Sequence, residues 1–223
     1  MNTAVAIPVY NPEPGLKQLC EELLERGFGT VVVVDDGSTE DLHRFEELPP
    51  AVRILHHGVN RGKGRAIKTA LEWLKANTAC DFAVFCDGDG QHVVEDVAKV
   101  CVRAAETDSV VFGVRDFFRK GIPFRSRFGN IWTSGVMRIF FGCRIGDTQT
   151  GLRCVPRRLW DAMIALAGER FEYEVRMFPL LKKLKEPLEQ VPIDTIYIAS
   201  NRTSHFRPLV DSVKIYKALF SKV

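Results

Sequence analysis

At 223 residues the chain is long enough to form one large domain with a sizeable hydrophobic core. Its 46% apolar and 26% charged residues are ordinary for a globular protein and exclude a disordered chain. The net charge of +3 is too small for a general nucleic-acid-binding protein, so we expect no nucleic-acid partner and only local cationic sites.

Short β-rich runs alternate with helical patterns through the first half of the chain. Strands are predicted at 4–9, 30–34, 52–57, 81–86 and 109–114, and helices at 15–27, 64–77 and 94–106. This alternation is typical of an α/β domain with a largely parallel sheet. Ligands of such sheets bind beyond the carboxyl ends of the strands. We therefore expect the acidic loops DDGS (35–38) and DGDGQ (87–91), which both follow strands, to face one pocket.

The alternation stops after residue 114. The pattern predicts a helical stretch within 115–145, the loop GDTQTGLR (146–153) and a helix near 156–167. The remaining segments are FEYEVRMFPLLKKL (171–184), an extended run at 188–199 and a last helix at 210–220. Because no repeat, low-complexity tract or linker interrupts the sequence, residues 1–223 are predicted to form a single domain.

The six cysteines, at positions 20, 80, 86, 101, 143 and 154, include no CxxC pair. This spacing predicts reduced, buried thiols in a cytoplasmic protein rather than a disulfide framework. The N-terminal stretch MNTAVAIPVYN lacks the basic region and long apolar run of a signal peptide. No apolar run approaches the ~18 residues of a membrane span, so no transmembrane helix is predicted.

Two aspartates stand one residue apart in FCDGDGQH (85–92), directly after an apolar strand. Asp87 and Asp89 repel each other unless a positive charge lies between them. Paired hard oxygens beside a glycine suit Mg²⁺ or Mn²⁺, and Gln91 can add a carbonyl oxygen. A solvated Asp-Gly turn is the alternative, and this motif alone does not decide between the two.

A second acidic pair, Asp35 and Asp36, ends the predicted strand at 30–34. Carboxylates there can accept hydrogen bonds from a nucleobase or a ribose, whereas the alternative is a helix starting at 40 with Ser38 or Thr39 as its N-cap. NRGKGRAIK (60–68) then brings four cations and two glycines to a helix start. That arrangement favours a phosphate, bound through backbone N–H groups and side-chain charge. It matches neither GxGxxG nor a P-loop, so neither a dinucleotide fold nor an ATPase is predicted.

Six motifs occur in order along the chain: IPVYN (7–11), VVDDGS (33–38), NRGKGRA (60–66), CDGDGQH (86–92), DTQTGLR (147–153) and SHFRP (204–208). Together they resemble the family 2 glycosyltransferases with a GT-A fold, and within these the dolichyl-phosphate mannose synthase-like branch. The resemblance covers about residues 4 to 216. It implies an α/β GT-A fold, a GDP- or UDP-sugar donor, a divalent metal and inversion at the anomeric carbon.

The resemblance also implies roles for individual residues. The implied donor-binding residues are Pro8, Tyr10, Asn11, Asp35, Asp36, Lys63, Asp87 and Gly88. The implied ligands of Mg²⁺ or Mn²⁺ are Asp87, Asp89 and Gln91. The loop 147–153 is implied to face the transferred sugar and the acceptor, with Asp147 and Arg153 as catalytic candidates and Thr150 as an acceptor contact. An ordinary turn with a surface arginine is the alternative for this loop.

In one respect the sequence departs from this pattern. Many relatives carry an acidic residue directly after the Tyr-Asn pair, but here Pro12 intervenes before Glu13. Glu13 is therefore left without a role.

The acceptor side has its own signal, because seven basic and seven aromatic residues lie between Arg115 and Arg144 with a single acid. A basic, aromatic-rich amphipathic helix suits a membrane interface or a lipid phosphate, whereas the alternative is that its apolar face packs into the core. We expect the acceptor phosphate to contact Arg115, Arg125, Arg127, Arg202 and Ser204. His56 and His57 are predicted to be packing or surface residues.

These features predict a metal-dependent inverting glycosyltransferase that moves a hexose from a nucleoside-diphosphate sugar to a polyprenyl (dolichyl or undecaprenyl) phosphate. We expect it in the cytoplasm, with peripheral association at the membrane face. A phosphate acceptor is largely ionised near neutral pH and needs no strong general base. Transfer to a hydroxyl of a glycan or lipid is the main alternative, and would need a base such as Asp147. A sugar nucleotidyltransferase and a catalytically silent sugar-nucleotide-binding module are further alternatives.

Overall fold

The computed structural model describes residues 2–90, 92–115, 146–147 and 150–194. The helices predicted within 115–145 and at 210–220 lie outside the described residues. So do five candidate site residues: Gln91, Arg125, Arg127, Arg202 and Ser204.

The described strands form one sheet, with the order β3-β2-β1-β4-β6-β5-β7. They are β1 (Thr3–Val9), β2 (Val31–Asp35), β3 (Val52–His56), β4 (Phe82–Phe85), β5 (Val110–Arg115), β6 (Arg153–Pro156) and β7 (Leu188–Ile193). Every neighbouring pair is parallel except those of β6, which runs antiparallel to β4 and β5. One edge of the sheet, here called the carboxyl edge, therefore carries the ends of β1 to β5 and the beginning of β6.

Helices cover both faces of this sheet. They are α1 (Leu16–Glu25), α2 (His43–Glu46), α3 (Lys63–Asn77), α4 (Val94–Thr107), α5 (Trp160–Ala165) and α6 (Glu172–Leu184), and a 3₁₀ turn (Arg157–Leu159) leads into α5. None of the described helices is long and apolar enough to cross a lipid bilayer.

Alternate residues of the central strands face opposite sides of the sheet, and each side has its own core. Ala4 and Ala6 of β1 pack with α3, α5 and α6, whereas Val5 and Ile7 pack with α1 and α4. β2 is buried throughout because it has a parallel neighbour on each side and helices on both faces. Burying each valine of β2 contributes about 1.5–3 kcal/mol, so this run anchors the sheet firmly.

The predicted α/β fold with a mostly parallel sheet is confirmed. Five cysteines, at 20, 80, 86, 101 and 154, are buried free thiols as predicted, and Cys143 lies outside the described residues. The prediction for 146–167 is wrong in part, because strand β6 stands where the end of a loop and the start of a helix were expected. Four residues are too few to show an alternating pattern, so pairing with β4 and β5 decides the conformation of this strand.

The alternative for the second acidic loop, a helix starting at residue 40 and capped by Ser38 or Thr39, is not observed. The short helix α2 begins at His43 and has no side-chain cap. Ser38 instead accepts a hydrogen bond from the Asn11 backbone N–H at 2.8 Å, so it ties two loops together rather than capping a helix.

Candidate donor and metal site

The described candidate residues lie along the carboxyl edge. Asp35 ends β2, Arg115 ends β5, and Asp87 lies two residues after the end of β4. Arg153 begins the reversed strand β6 and pairs in register with Phe85 of β4. The sheet thus brings the two acidic loops and the segment before β6 to the same side of the molecule. The strand pattern predicted a shared side for the two acidic loops but not for the segment before β6.

Asp35 is buried, and its carboxylate is bound from two sides. Oδ1 accepts the Ser38 backbone N–H at 2.8 Å, and Oδ2 lies 2.9 Å from Nδ1 of His56. Burial alone would raise the pKa of Asp35, but the hydrogen bonds from Ser38 and His56 lower it below its usual value. Asp35 is therefore an oriented anion at the end of β2, and an oriented anion can accept a base or ribose hydrogen bond.

Asp36 is the more internal of the two acids. Its Oδ1 accepts the Arg61 backbone N–H at 3.0 Å and lies 2.8 Å from Nδ1 of His57, and its Oδ2 accepts the Gly62 N–H at 2.7 Å. His57 is held on its other side by the Thr69 hydroxyl at 3.0 Å. Asp36 therefore fastens the chain before α3 to the end of β2, and we interpret it as a positioning residue rather than a ligand of the donor.

Asn11 connects the loops after β1 and β2. It adopts a left-handed backbone conformation with φ 56°, which asparagine tolerates better than most residues. Its side-chain oxygen accepts the Thr39 N–H at 2.9 Å and the Glu40 N–H at 3.3 Å. Pro8 and Tyr10 are half-buried beside it. Asn11 thus shapes the loop predicted to meet the donor base.

Three backbone N–H groups around the beginning of α3 are already bound within the protein, which limits the phosphate contacts expected from NRGKGRAIK. The N–H groups of Arg61 and Gly62 are bound by Asp36, and that of Arg65 donates to the Glu169 carbonyl at 2.9 Å. A Cβ at Gly62 would lie 2.4 Å from the same carbonyl oxygen. Gly62 is therefore required by close packing against the segment before α6, and the charge of this motif that faces the site is the Lys63 side chain.

Lys63 lies between two carboxylates. Its Nζ is 2.6 Å from Oδ1 of Asp87 and 3.1 Å from Oε2 of Glu174 on α6. Burial alone would raise the pKa of Asp87, but the Lys63 ammonium and the nearby His92 ring hold it far below its usual range. Burial alone would lower the pKa of Lys63, and the two carboxylates raise it instead. In this arrangement Asp87 is an anion whose charge is balanced by Lys63.

The surroundings of Asp87 are tightly packed. A Cβ at Gly151 would lie 2.2 Å from Oδ2 of Asp87, and a Cβ at Gly88 would lie 2.9 Å from a methyl group of Val9. His92 is buried, with Nε2 3.8 Å from Oδ2 of Asp87. The Asp87 side chain nevertheless remains 31% exposed, so it is accessible to a ligand.

The residues at the end of β4 fit a divalent cation. Asp87 and the half-buried Asp89 supply hard oxygens, and a metal held by two carboxylates leaves coordination positions for phosphate oxygens and water. Among the residues that the structure describes, no group of three His, Cys, Asp or Glu side chains is placed to hold a metal ion. The third predicted ligand, Gln91, lies outside them.

Arg153 lies inside the protein, where the sequence had suggested a surface facing the sugar. Its guanidinium is stacked near Phe112 and Phe178, at 4.9 and 5.4 Å from the ring centroids. It donates hydrogen bonds to the carbonyls of Thr150 at 3.0 Å and Glu174 at 2.6 Å. We therefore interpret Arg153 as a positioning residue that joins β6 to α6.

Asp147 and Arg115 form a two-point ion pair, with Oδ2 to Nε at 2.6 Å and Oδ1 to Nη2 at 3.2 Å. The Asp147 side chain is fully buried. Thr150 is also buried, and its hydroxyl accepts the Leu152 N–H at 3.2 Å. In this arrangement the Asp147 carboxylate is held by Arg115 and is not presented as a general base.

Known proteins with similar sequences show which family this chain belongs to. The sequence profile of glycosyl transferase family 2 matches residues 4–157. The chain belongs to glycosyl transferase family 2. The resemblance drawn from the six motifs is therefore confirmed at the level of the family, and the protein is a glycosyltransferase. Enzymes of this family generally depend on a divalent metal.

Two curated relatives of this glycosyltransferase match nearly all of it. The UDP-N-acetylglucosamine–dolichyl-phosphate N-acetylglucosaminyltransferase of Methanococcus voltae is 27% identical over 240 residues, covering 97% of this chain and 94% of that protein. The dolichyl-phosphate beta-glucosyltransferase of Dictyostelium discoideum is 22% identical over 248 residues, covering 95% of this chain and 71% of that protein.

Solved structures agree on the fold of this glycosyltransferase. The mannosyl-3-phosphoglycerate synthase of Rubrobacter xylanophilus superposes with a TM-score of 0.68 at 15% identity, covering 97% of this chain and 71% of that one. The GT-A fold predicted from the motifs is confirmed.

Sequence reasoning missed four contributors to the site of this glycosyltransferase: His56, His57, Gly151 and Glu174. The two histidines could have been found from strand register, because His56 pairs directly with Asp35 across parallel strands β2 and β3. Gly151 and Glu174 gave no such signal, since their contacts with Asp87 and Lys63 join segments far apart in the sequence.

Proposed function

We propose that this glycosyltransferase transfers a hexose, with inversion, from a nucleoside-diphosphate sugar to a polyprenyl phosphate, and that it uses a divalent metal. The observation that carries the proposal is the open carboxylate of Asp87, beside Asp89 and the Lys63 ammonium, on the same sheet edge as Asp35. Support for the acceptor comes from two relatives, both named for transfer to dolichyl phosphate, that align over nearly the whole chain.

The donor is proposed to lie across the carboxyl edge from β2 to β4. Asp35 accepts a hydrogen bond from the base or the ribose, and its two internal hydrogen bonds keep the carboxylate ionised and oriented. Pro8, Tyr10 and Asn11 line that end, and Gly88 allows the chain after β4 to approach closely. The diphosphate lies beside Asp87 and Lys63.

Asp87, Asp89 and Gln91 are the residues that would hold Mg²⁺ or Mn²⁺. When bound, the metal supplies a Lewis acid that draws negative charge from the diphosphate leaving group. Lys63 adds a second positive charge on the same side, because its Nζ is 2.6 Å from the Asp87 carboxylate. The negative charge that develops on the leaving nucleoside diphosphate is thus stabilised by groups already in position.

The acceptor oxygen is proposed to be a phosphate oxygen. It attacks the anomeric carbon from the face opposite the donor diphosphate, a new C–O bond forms, and the bond to the diphosphate breaks with release of the nucleoside diphosphate. No proton has to be removed, since the phosphate is already largely ionised near neutral pH. Arg125, Arg127, Arg202 and Ser204 are the proposed contacts of this phosphate. Two further residues that the sequence suggested, Arg115 and Thr150, are not proposed as contacts, because Arg115 is paired with Asp147 and Thr150 is buried.

Transfer to a hydroxyl is the second candidate, and one observation weighs against it. A hydroxyl acceptor needs a general base within hydrogen-bond reach. Asp147, the base that the sequence suggested, is fully buried and held at two points by Arg115. A phosphate acceptor makes no such demand on this side chain.

The proposal is tested by a transfer assay with UDP- and GDP-hexoses, a short polyprenyl phosphate and Mn²⁺. The wild-type protein should form the polyprenyl-phosphate hexose with one of these donors, and Asp89→Ala should abolish transfer while retaining the fold. Asp161→Ala is the matched control, because Asp161 lies on α5 and is an exposed partner of Lys75 on α3. Full activity of Asp89→Ala, or of the wild type in excess EDTA, would remove the metal from the proposal.

A second variant separates the two acceptor classes. Replacing Arg125 and Arg127 together by glutamate should raise the KM for polyprenyl phosphate and weaken binding to anionic liposomes. Donor hydrolysis without acceptor should change little, because the donor loops are untouched. Normal use of the lipid acceptor by this variant would favour a hydroxyl acceptor instead.

A further inference from the structure

At the candidate metal site, the ammonium group of Lys63 contacts two carboxylates. Lys63 Nζ contacts Asp87 at 2.6 Å and Glu174 at 3.1 Å, and the side chains of Lys63 and Glu174 are only 19% and 12% exposed. Glu174 is itself anchored, because its backbone carbonyl accepts Arg153 Nη1 at 2.6 Å and its Oε1 lies 3.8 Å from Arg153 Nη2. Glu174 is therefore held in place by contacts that do not involve Asp87.

This arrangement poses a problem for a metal site, because a cation that binds Asp87 has to compete with Lys63. A buried lysine that lost its carboxylate and found no other would be an uncompensated buried charge, which is strongly unfavourable. Glu174 removes that obstacle. When the contact between Lys63 and Asp87 breaks, Lys63 keeps Glu174 as its carboxylate partner. It therefore stays at the site, where it can contact the donor diphosphate.

We propose that Glu174 is a positioning residue that retains Lys63 when Asp87 exchanges its ammonium partner for a divalent cation. Lys63 is the competing counter-cation of Asp87 in the free enzyme, and Glu174 is its second partner. This inference rests on the proposed function, in that Asp87 and Asp89 are taken as the metal ligands. It adds a role for α6 in donor binding that the sequence did not suggest.

Binding of Mn²⁺ alone, followed by the electron paramagnetic resonance signal of free Mn²⁺, tests the exchange without any turnover. Lys63→Met removes the competitor and should tighten Mn²⁺ binding about tenfold, the change expected from losing one partly screened charge pair. Glu174→Gln should weaken Mn²⁺ binding, because the displaced lysine no longer has a second carboxylate. Both proteins are checked for folding by their thermal midpoints.

The double variant Lys63→Met/Glu174→Gln distinguishes this mechanism from a simple loss of negative charge. Without the competing lysine, Glu174 should matter little, so the double variant should bind Mn²⁺ nearly as tightly as Lys63→Met. The matched control is Glu72→Gln, which neutralises an acid paired with Arg65 on α3 and should leave Mn²⁺ binding unchanged.

The affinity for the nucleoside diphosphate gives an independent measurement. Lys63→Met should weaken binding of the nucleoside diphosphate in the presence of Mn²⁺ even though it tightens binding of Mn²⁺ alone, since the diphosphate loses an ammonium group. Glu174→Asp should restore part of what Glu174→Gln loses in both measurements. A merely structural role of Glu174 would lower the thermal midpoint and would weaken Mn²⁺ binding equally whether or not Lys63 is present.

The outcomes of these experiments distinguish a wrong metal assignment from a wrong exchange mechanism. If wild type and Lys63→Met bind no Mn²⁺, with or without a nucleoside diphosphate, both the metal assignment and this inference fall. If wild type binds Mn²⁺ and Asp89→Ala does not, but Lys63→Met binds no more tightly, only the exchange is refuted. Strictly additive effects of Lys63→Met and Glu174→Gln would also refute it. If Lys63→Met does not fold, a normal Mn²⁺ affinity of Glu174→Gln decides against the proposal.

Discussion

Both carboxylate oxygens of Asp36 are bound within the protein, by two backbone N–H groups and the buried His57 ring. Both oxygens of Asp35 are bound as well, but one of its partners is the exposed His56 ring. We expect Asp36→Ala to lower the free energy of unfolding by about 2–4 kcal/mol, because two backbone N–H groups and the His57 ring lose a buried acceptor. Urea denaturation measures this loss. Equal stability of Asp36→Ala and wild type would contradict the positioning role.

Asp35→Ala should instead affect the donor more than the fold. Calorimetry with the free nucleoside diphosphate should show a loss of about 1–3 kcal/mol, the cost of leaving a buried polar partner without its hydrogen bond. Unchanged affinity would move the base away from the end of β2. Comparing the two alanine variants therefore tests whether Asp36 positions the loop and Asp35 binds the donor.

Gly151 leaves room for the Asp87 carboxylate of the proposed metal site because it has no side chain. In Gly151→Ala the new Cβ would collide with the Asp87 carboxylate at 2.2 Å, so that carboxylate has to move. We expect Mn²⁺-dependent transfer to fall by about 10²-fold, the usual effect of a displacement near 1 Å in a positioned group. Gly29→Ala is the control in the same assay, because a Cβ at Gly29 meets no atom within 4 Å.

At the scale of elements, Arg153 joins the reversed strand β6 to helix α6. We expect Arg153→Met to lower the free energy of unfolding by about 3–5 kcal/mol, because two buried carbonyls and the Glu174 carboxylate lose their cation. Arg158→Met removes surface ion pairs with Asp108 and Glu186 and should cost about 1 kcal/mol or less. Similar losses in both variants, measured by chemical denaturation, would argue against an interior role for Arg153.

The helices and strands also show which parts of the fold could be predicted from the sequence. The strands β1, β2 and β4 and the helices α1, α3 and α4 were predictable, because buried runs and helical periodicity are local signals. Strand β6 was not, since its four residues become a strand only by pairing with β4 and β5. The acidic loops could be placed on one edge because parallel strands end together, but the internal bonding of Asp36 and Arg153 depends on distant segments.

The whole molecule should lose stability in acid, partly through Asp35. Its pKa in the folded protein is lowered, so the unfolded chain binds protons more readily there. The stability contributed by Asp35 is complete above the unfolded pKa of about 4 and is lost as the pH falls through the folded value. Asp35→Asn should therefore flatten the decline of the unfolding free energy below about pH 4. An equally steep decline in urea titrations of this variant would assign the effect to other carboxylates.

The ion pair between Arg115 and Asp147 closes the base of a long excursion of the chain. Arg115 ends β5, Asp147 precedes β6, and these two strands are antiparallel neighbours, so the chain leaves and re-enters the sheet on the same edge. An excursion anchored at both ends can change length cheaply, since each doubling costs only about 0.6 kcal/mol of loop-closure entropy. In chimeras that exchange residues 116–146 between relatives, we expect the strands to keep their register and the donor loops to stay intact.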